Sequence, residues 1–370
     1  MRTTPAEMFS GFRGPALDFA DIVVSLPPDS VRQIGEVQLP RQIPGDPATD
    51  FVTLEPTSAI DKHQALAVYR RLVLKNPNRH VLVFVHGFNN RFEDAVFRFA
   101  QIVHDSGAEV VPILFTWPSK GKLLAYGYDH ESATYSRDQL EEGLRFLAKD
   151  REVSEITVLA HSMGNWVTLE ALRQMAIRDG KVEGKIRNVI LAAPDVDVDL
   201  AREQIMAMGP RARRPHFTLL AAKDDQALAV SRKIWGEPRL GSIDPDRESC
   251  ASPPANQETC RSTLASEGIH VINLTGITSP DQLRHATFAE NPQIVKLIGR
   301  VESGQTLTDS RVGLGESILQ TTAGAAASVG QAAGLVVTAP IAIVDPLTRE
   351  HYGDEVDAFG RSVKDVATPQ

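Results

Sequence analysis

The run Val158-Leu159-Ala160-His161-Ser162-Met163-Gly164-Asn165-Trp166-Val167 decides how this chain is read. An apolar, β-branched stretch (Ile156, Thr157, Val158, Leu159) stops at a serine held between small residues, and a helical pattern begins at once. That is the pattern of a strand–nucleophile–helix elbow. The turn is so tight that only small residues fit beside the serine, whose hydroxyl is pushed out at the strand's C-terminal end. The usual spacing is G-x-S-x-G. Here Ala160 stands at the first glycine, a change of one methyl that such a turn tolerates.

Around the elbow, residues 80–300 alternate short apolar runs with amphipathic stretches, the signature of a parallel sheet with crossover helices. The spacing predicts strands over 80–85, 109–116, 155–160, 186–193, 216–222 and 269–274, each apolar enough to be buried on both faces. Helices are predicted over 91–105, 131–149, 163–178, 198–208, 226–235 and 291–299. The expected class is α/β, a mostly parallel central sheet flanked by helices on both faces. Residues 1–300 read as one catalytic domain. Within it, 18–56 supplies two N-terminal strands that extend the sheet as an antiparallel pair, and 236–268 is a loop insertion. Residues 301–370 form a C-terminal extension rich in Gly and Ala.

A serine hydroxyl needs a base, and the base needs a carboxylate to set its tautomer. In α/β hydrolases, which the elbow resembles, the acid and then the histidine follow the serine, each in a loop at a strand's C-terminal end. His216 and His270 open strands and lie at the wrong edge, which leaves His285 as the base. Two positions compete for the acid. Asp225 follows strand 216–222, where it also suits a helix N-cap; Asp195, one strand earlier, is the alternative. The oxyanion donors are expected to be the backbone N–H groups of Met163, directly after the serine, and Phe88, in the loop Val85-His86-Gly87-Phe88-Asn89-Asn90. His86 suits a buttress of that loop. Trp117 and His161 are candidates for the pocket wall, with core packing the other use of Trp117. The acidic run from Asp195 to Asp199 lacks the glycine and glutamate of a calcium loop, so no metal is expected.

With 42% hydrophobic and 23% charged residues the chain has the composition of a globular protein. A net charge of −8 supplies no basic patch for phosphates, which argues against nucleic acid as a partner. Cys250 and Cys260 flank a Pro-containing loop and suit either a disulfide or two unrelated thiols. No apolar h-region follows Met1. Residues 317–344 carry no charge and are long enough for a span of about 20 residues. Two uses stay open for them: a small-residue helix packed on the domain or an oligomer partner, or membrane association. The compartment is left open, with a periplasmic or membrane-associated location favoured.

These segments together resemble the α/β-hydrolase superfamily and, within it, a bacterial branch of esterase/lipase-like enzymes. The resemblance is carried by Phe84 to Asn89, Phe115 to Ser119, Tyr128 to Ala133, Ala160 to Asn165, Ala192 to Asp197 and Asp225 to Leu228. It implies Ser162 as nucleophile, Asp225 as acid, His285 as base, and a carboxylesterase needing no cofactor and acting on short-to-medium acyl esters. A lipase or amidase on the same residues, or a catalytically idle scaffold, are the competing expectations.

Overall fold

The computed structural model describes residues 8–40, 44–54, 58–247, 250 and 259–302. Six strands form one parallel sheet: β5 (His80–Val85), β6 (Val111–Phe115), β7 (Glu155–His161), β8 (Ile186–Ala192), β9 (His216–Ala221) and β10 (Ile269–Asn273). Their order is β10-β9-β8-β7-β5-β6, so the strand ending at Ser162 lies in the interior of the sheet. Register brings Val85 beside Ala160, His161 beside Ala192, Ala192 beside Leu220, and Ala221 beside Asn273. The loops after these strands therefore share one edge. This is the α/β-hydrolase fold expected from the sequence.

Burial on both faces explains the continuous apolar runs. In β5, Val81, Val83 and Val85 enter one core cluster, while Leu82 and Phe84 enter the other. The first cluster is covered by α4 (Arg137–Lys149), α5 (Gly164–Asp179) and α6 (Val198–Ala207), through Leu140, Leu144, Leu172 and Ile205. The second is covered by α2 (Phe92–Ser106) and by α9 (Thr287–Glu290) and α10 (Pro292–Glu302), through Phe99, Ile102, Phe288 and Ile294. Two further helices border the site, α3 (Tyr126–Tyr135) and α7 (Gln226–Trp235).

Three expectations need correction. The N-terminal strands do not extend the sheet. Phe19–Asp21 (β1) pairs with Ser58–Ile60 (β4), and Val24–Ser25 (β2) with Val52–Thr53 (β3), as separate antiparallel pairs. They are two or three residues long and only partly buried, too short to compete for a sheet edge. The helix expected over 131–149 begins earlier and divides at Ser136, the C-cap of α3 and N-cap of α4. The loop insertion contains helix α8 (Cys260–Ser266), and a helix α1 (Lys62–Lys75) precedes the first sheet strand.

Cys250 and Cys260 are joined as a disulfide, their Cα atoms 4.6 Å apart. No helix among the described residues is long and apolar enough to cross a membrane. The 317–344 segment lies outside the described residues.

Candidate active site

The elbow is built by close packing. Ser162 has φ +51°, a left-handed conformation that costs a non-glycine residue energy and persists only where its surroundings enforce it. Its N–H donates to Ala192 O (3.0 Å), and its carbonyl accepts from Asp195 N (3.2 Å) and the Asn165 side chain (3.0 Å). A Cβ at Gly164 would lie 2.4 Å from His86 O and 2.5 Å from Val85 O, so the turn needs glycine there. A Cβ at Gly87 would lie 2.9 Å from the Ser162 Cβ. Ala160, fully buried between Val85 and Leu191, fits at the first position.

Ser162, His161 and His285 line one pocket with Phe88, Tyr126 and Leu228. His285 Nδ1 lies 2.7 Å from Asp225 Oδ2, both residues almost wholly buried. The other oxygen of Asp225 accepts from Leu228 N at 2.9 Å and caps α7. Asp225 thus caps the helix and contacts the His285 ring at once. Burial works against protonating His285, but the charge of Asp225 and its hydrogen bond, with help from Asp281 and Asp195, outweigh it and hold the imidazole above its ordinary pKa. Because the Asp225 carboxylate accepts a hydrogen bond from Nδ1–H, the neutral ring keeps its lone pair on Nε2. Among the described residues no hydrogen bond joins Ser162 to His285; such contacts often close only when substrate is bound.

Asp195, the alternative acid, is engaged elsewhere. Its Oδ1 accepts from Ser231 Oγ (2.5 Å) and Arg239 Nε (2.9 Å), and its Oδ2 from Tyr126 Oη (2.6 Å). It braces the pocket wall. Asp224 pairs with Arg284 and accepts from Gly276 N, so it too points away from His285.

These elements match a known family. A profile described as "Alpha/beta hydrolase of unknown function (DUF900)" covers residues 61–301. The chain belongs to this DUF900 family of α/β hydrolases. It is also 23% identical over 152 residues to the uncharacterized protein alr1448 of Nostoc sp. strain PCC 7120. That match takes in 34% of this chain and 39% of the Nostoc protein, so the chain spans about two fifths of its relative's length. Among solved structures it is similar to a CIB-like hydrolase of Thermoplasma acidophilum, with 13% identity and a TM-score of 0.34 over 62% of this chain and 88% of that one. It is likewise similar to the naproxen esterase (carboxylesterase NP) of Bacillus subtilis, with 12% identity and a TM-score of 0.33 over 61% and 83%.

Around the Ser162 elbow this DUF900 chain places the remaining predicted residues unequally. His161 lines the pocket, its ring 4.7 Å from that of His285 and its Nε2 donating to His285 O at 3.3 Å. Burial, and next the neighbouring His285, push its pKa well below the usual value. Trp117 does not line the pocket. It is 3% exposed, stacks on His86 at 4.8 Å, and donates from Nε1 to His86 O and from its backbone N to His86 Nε2. A flat ring behind the loop is better used to hold it than to meet substrate. His86 in turn donates from Nδ1 to Gly87 O at 2.8 Å, and burial lowers its pKa to about 4. It is a neutral buttress.

Two buried carboxylates escaped the sequence reading. Asp129 accepts from Ser119 Oγ (2.6 Å), Lys120 N (2.8 Å) and, more weakly, Asn89 N (3.5 Å), tying the loops after β5 and β6 together. Asp281 accepts from the backbone at three points in the His285 loop. For Asp281 a signal existed: an aspartate after proline, in a loop, sets up side-chain-to-backbone turns.

Proposed function

We propose that this chain is a carboxylic-ester hydrolase acting through an acyl-enzyme, on small esters of short-to-medium acyl chains. The observation that carries the reading is the 2.7 Å bond between His285 and Asp225 in the pocket that Ser162 enters at positive φ. In this reading Ser162 Oγ attacks the ester carbonyl while His285 Nε2 takes its proton, and Asp225 stabilises the imidazolium that forms. The N–H groups of Phe88 and Met163 hold the oxyanion. Among the described residues neither amide donates to a protein acceptor, which supports their being reserved for a ligand. His285 then protonates the leaving alcohol, and a water activated by the same ring releases the acid.

The pocket lining suits an apolar acyl or alcohol group: Phe88, Ala227, Leu228, Val230 and Ile234 present apolar surface, beside the polar Asn89, Asn90 and Arg98. The test is labelling with a fluorophosphonate probe, followed by turnover of p-nitrophenyl esters of increasing chain length. Labelling of the native chain and none of Ser162→Ala is the expected result. A folded native chain that neither labels nor hydrolyses any ester overturns the reading and leaves a catalytically idle scaffold.

A further inference from the structure

His285 sits in a loop with no regular secondary structure, yet a base must hold its ring to a fraction of an ångström. The loop is organised around one side chain. Asp281 Oδ2 accepts from His285 N at 2.6 Å and from Ala286 N at 2.8 Å, while Oδ1 accepts from Leu283 N at 2.9 Å. Its carbonyl accepts from Arg284 N at 3.1 Å, and Arg284 itself takes φ +58°. Asp281 is 7% exposed. It is anchored in turn, because its own N–H donates to Glu290 Oε2 at 2.9 Å, and Glu290 also receives Ser279 Oγ (2.9 Å) and Arg98 (3.2 Å). Neither the helix cap on Asp225 nor the elbow touches these amides. Without an acceptor there, buried N–H groups on and beside the base would go unpaired.

We propose that Asp281 is a positioning residue for the base: it fixes the backbone on both sides of the His285 ring and adds a second negative charge beside it. The inference rests on the reading of His285 as general base. The charged and titratable groups facing His285 are Asp225 from the start of α7, Asp195 from the loop after β8, Asp281 from its own loop and the neutral His161 from the end of β7. Glu290 and Arg98 stand behind them as a pair. Asp281 is thus one of three carboxylates that favour the protonated ring, and the only one of the three bonded to its backbone.

The experiment compares Asp281→Asn and Asp281→Ala with the native chain on p-nitrophenyl butyrate across pH, with active sites counted by fluorophosphonate titration. In Asp281→Asn one amide oxygen still accepts from His285 and Ala286 while the N–H₂ is set against Leu283 N–H, so kcat on the plateau falls, though less than in Asp281→Ala. The lost charge nevertheless moves the acid limb of kcat/KM to lower pH. Asp281→Ala loses the clamp as well, and kcat per active site falls by roughly tenfold to a hundredfold with a smaller change in KM. A merely structural role would lower the number of active sites and leave the limb in place. An unmoved limb in Asp281→Asn, or a native kcat per site in Asp281→Ala, overturns the inference. If Asp281→Ala does not fold, Asp281→Asn decides alone. A native chain without ester turnover sinks the esterase reading and this inference with it, whereas an active chain whose limb moves for Asp225→Asn but not for Asp281→Asn sinks only the latter.

Discussion

Asp225 and His285 stand 60 residues apart in sequence and 2.7 Å apart in space, joined across the edge where β9 and β10 end. The carboxylate is divided between two tasks. One oxygen meets the imidazole and the other caps α7, a contact worth about 1 kcal/mol to the helix, so the carboxylate is held by the helix it caps.

That pairing sets the pH dependence. A general base must be neutral, and His285 is held above its ordinary 6.5, so kcat/KM should rise with pH through a value higher than that and be lost below it. Asp225→Asn removes the largest stabilisation of the charged ring. Its acid limb should move to lower pH while kcat falls by about 10³- to 10⁴-fold. Asp195→Asn should cost less than about tenfold, since that carboxylate braces the wall rather than the ring. Steady-state pH profiles of both variants distinguish the two acids.

The elbow should reject even one methyl at its closing glycine. Gly164→Ala drives a Cβ into two backbone carbonyls of the His86 loop. Overpacking of this kind costs about 1–3 kcal/mol, read as a lower urea midpoint, and activity should fall further than stability because Ser162 is displaced. A native midpoint with native kcat would contradict the packing described for Gly164.

Trp117 should behave as a buttress. Trp117→Phe loses the Nε1 bond to His86 O and some volume, for about 1–3 kcal/mol of stability. The dependence of KM on acyl chain length should stay that of the native chain. A changed chain-length profile would return Trp117 to the pocket wall.

Asp129→Asn puts an amide N–H₂ against at least one of the backbone N–H groups that the carboxylate now accepts from. The Phe88 loop should loosen, and kcat should fall by about tenfold or more as an oxyanion donor is misaimed. The acid limb should not move, because Asp129 does not contact His285. Parallel pH profiles of Asp129→Asn and Asp225→Asn separate a fault in the oxyanion loop from a fault in the base.

Much of this site was legible in the chain because it depends on local packing. Strands buried on both faces write themselves as unbroken apolar runs, and the elbow demands small residues at fixed offsets from Ser162. His285 is singled out by position, since His216 and His270 open strands, and the structure sets it beside Asp225 in the pocket that Ser162 lines. What the sequence hid was contact across distance. Nothing near Asp195 announces Arg239 or Tyr126 as its partners, and nothing near Trp117 says that its ring lies behind His86 rather than facing substrate. Helix α1 is a different case. Asp61 and Gln64 form a capping box that was readable, but its weakly apolar face gave little periodicity to mark the body of the helix. The N-terminal strands were legible as an antiparallel pair, which β2 and β3 form, but nothing in such short runs shows that the pair stands apart from the main sheet.

The order of the parts along the chain has a consequence for synthesis. In the mechanism we propose, the base follows the last strand of the sheet, so a nascent polypeptide emerging from the ribosome carries its serine long before it carries a usable imidazole. Until residue 285 has been translated and the sixth strand has docked, the growing chain should be inert toward esters, and any fragment ending before β10 should stay so however well it folds.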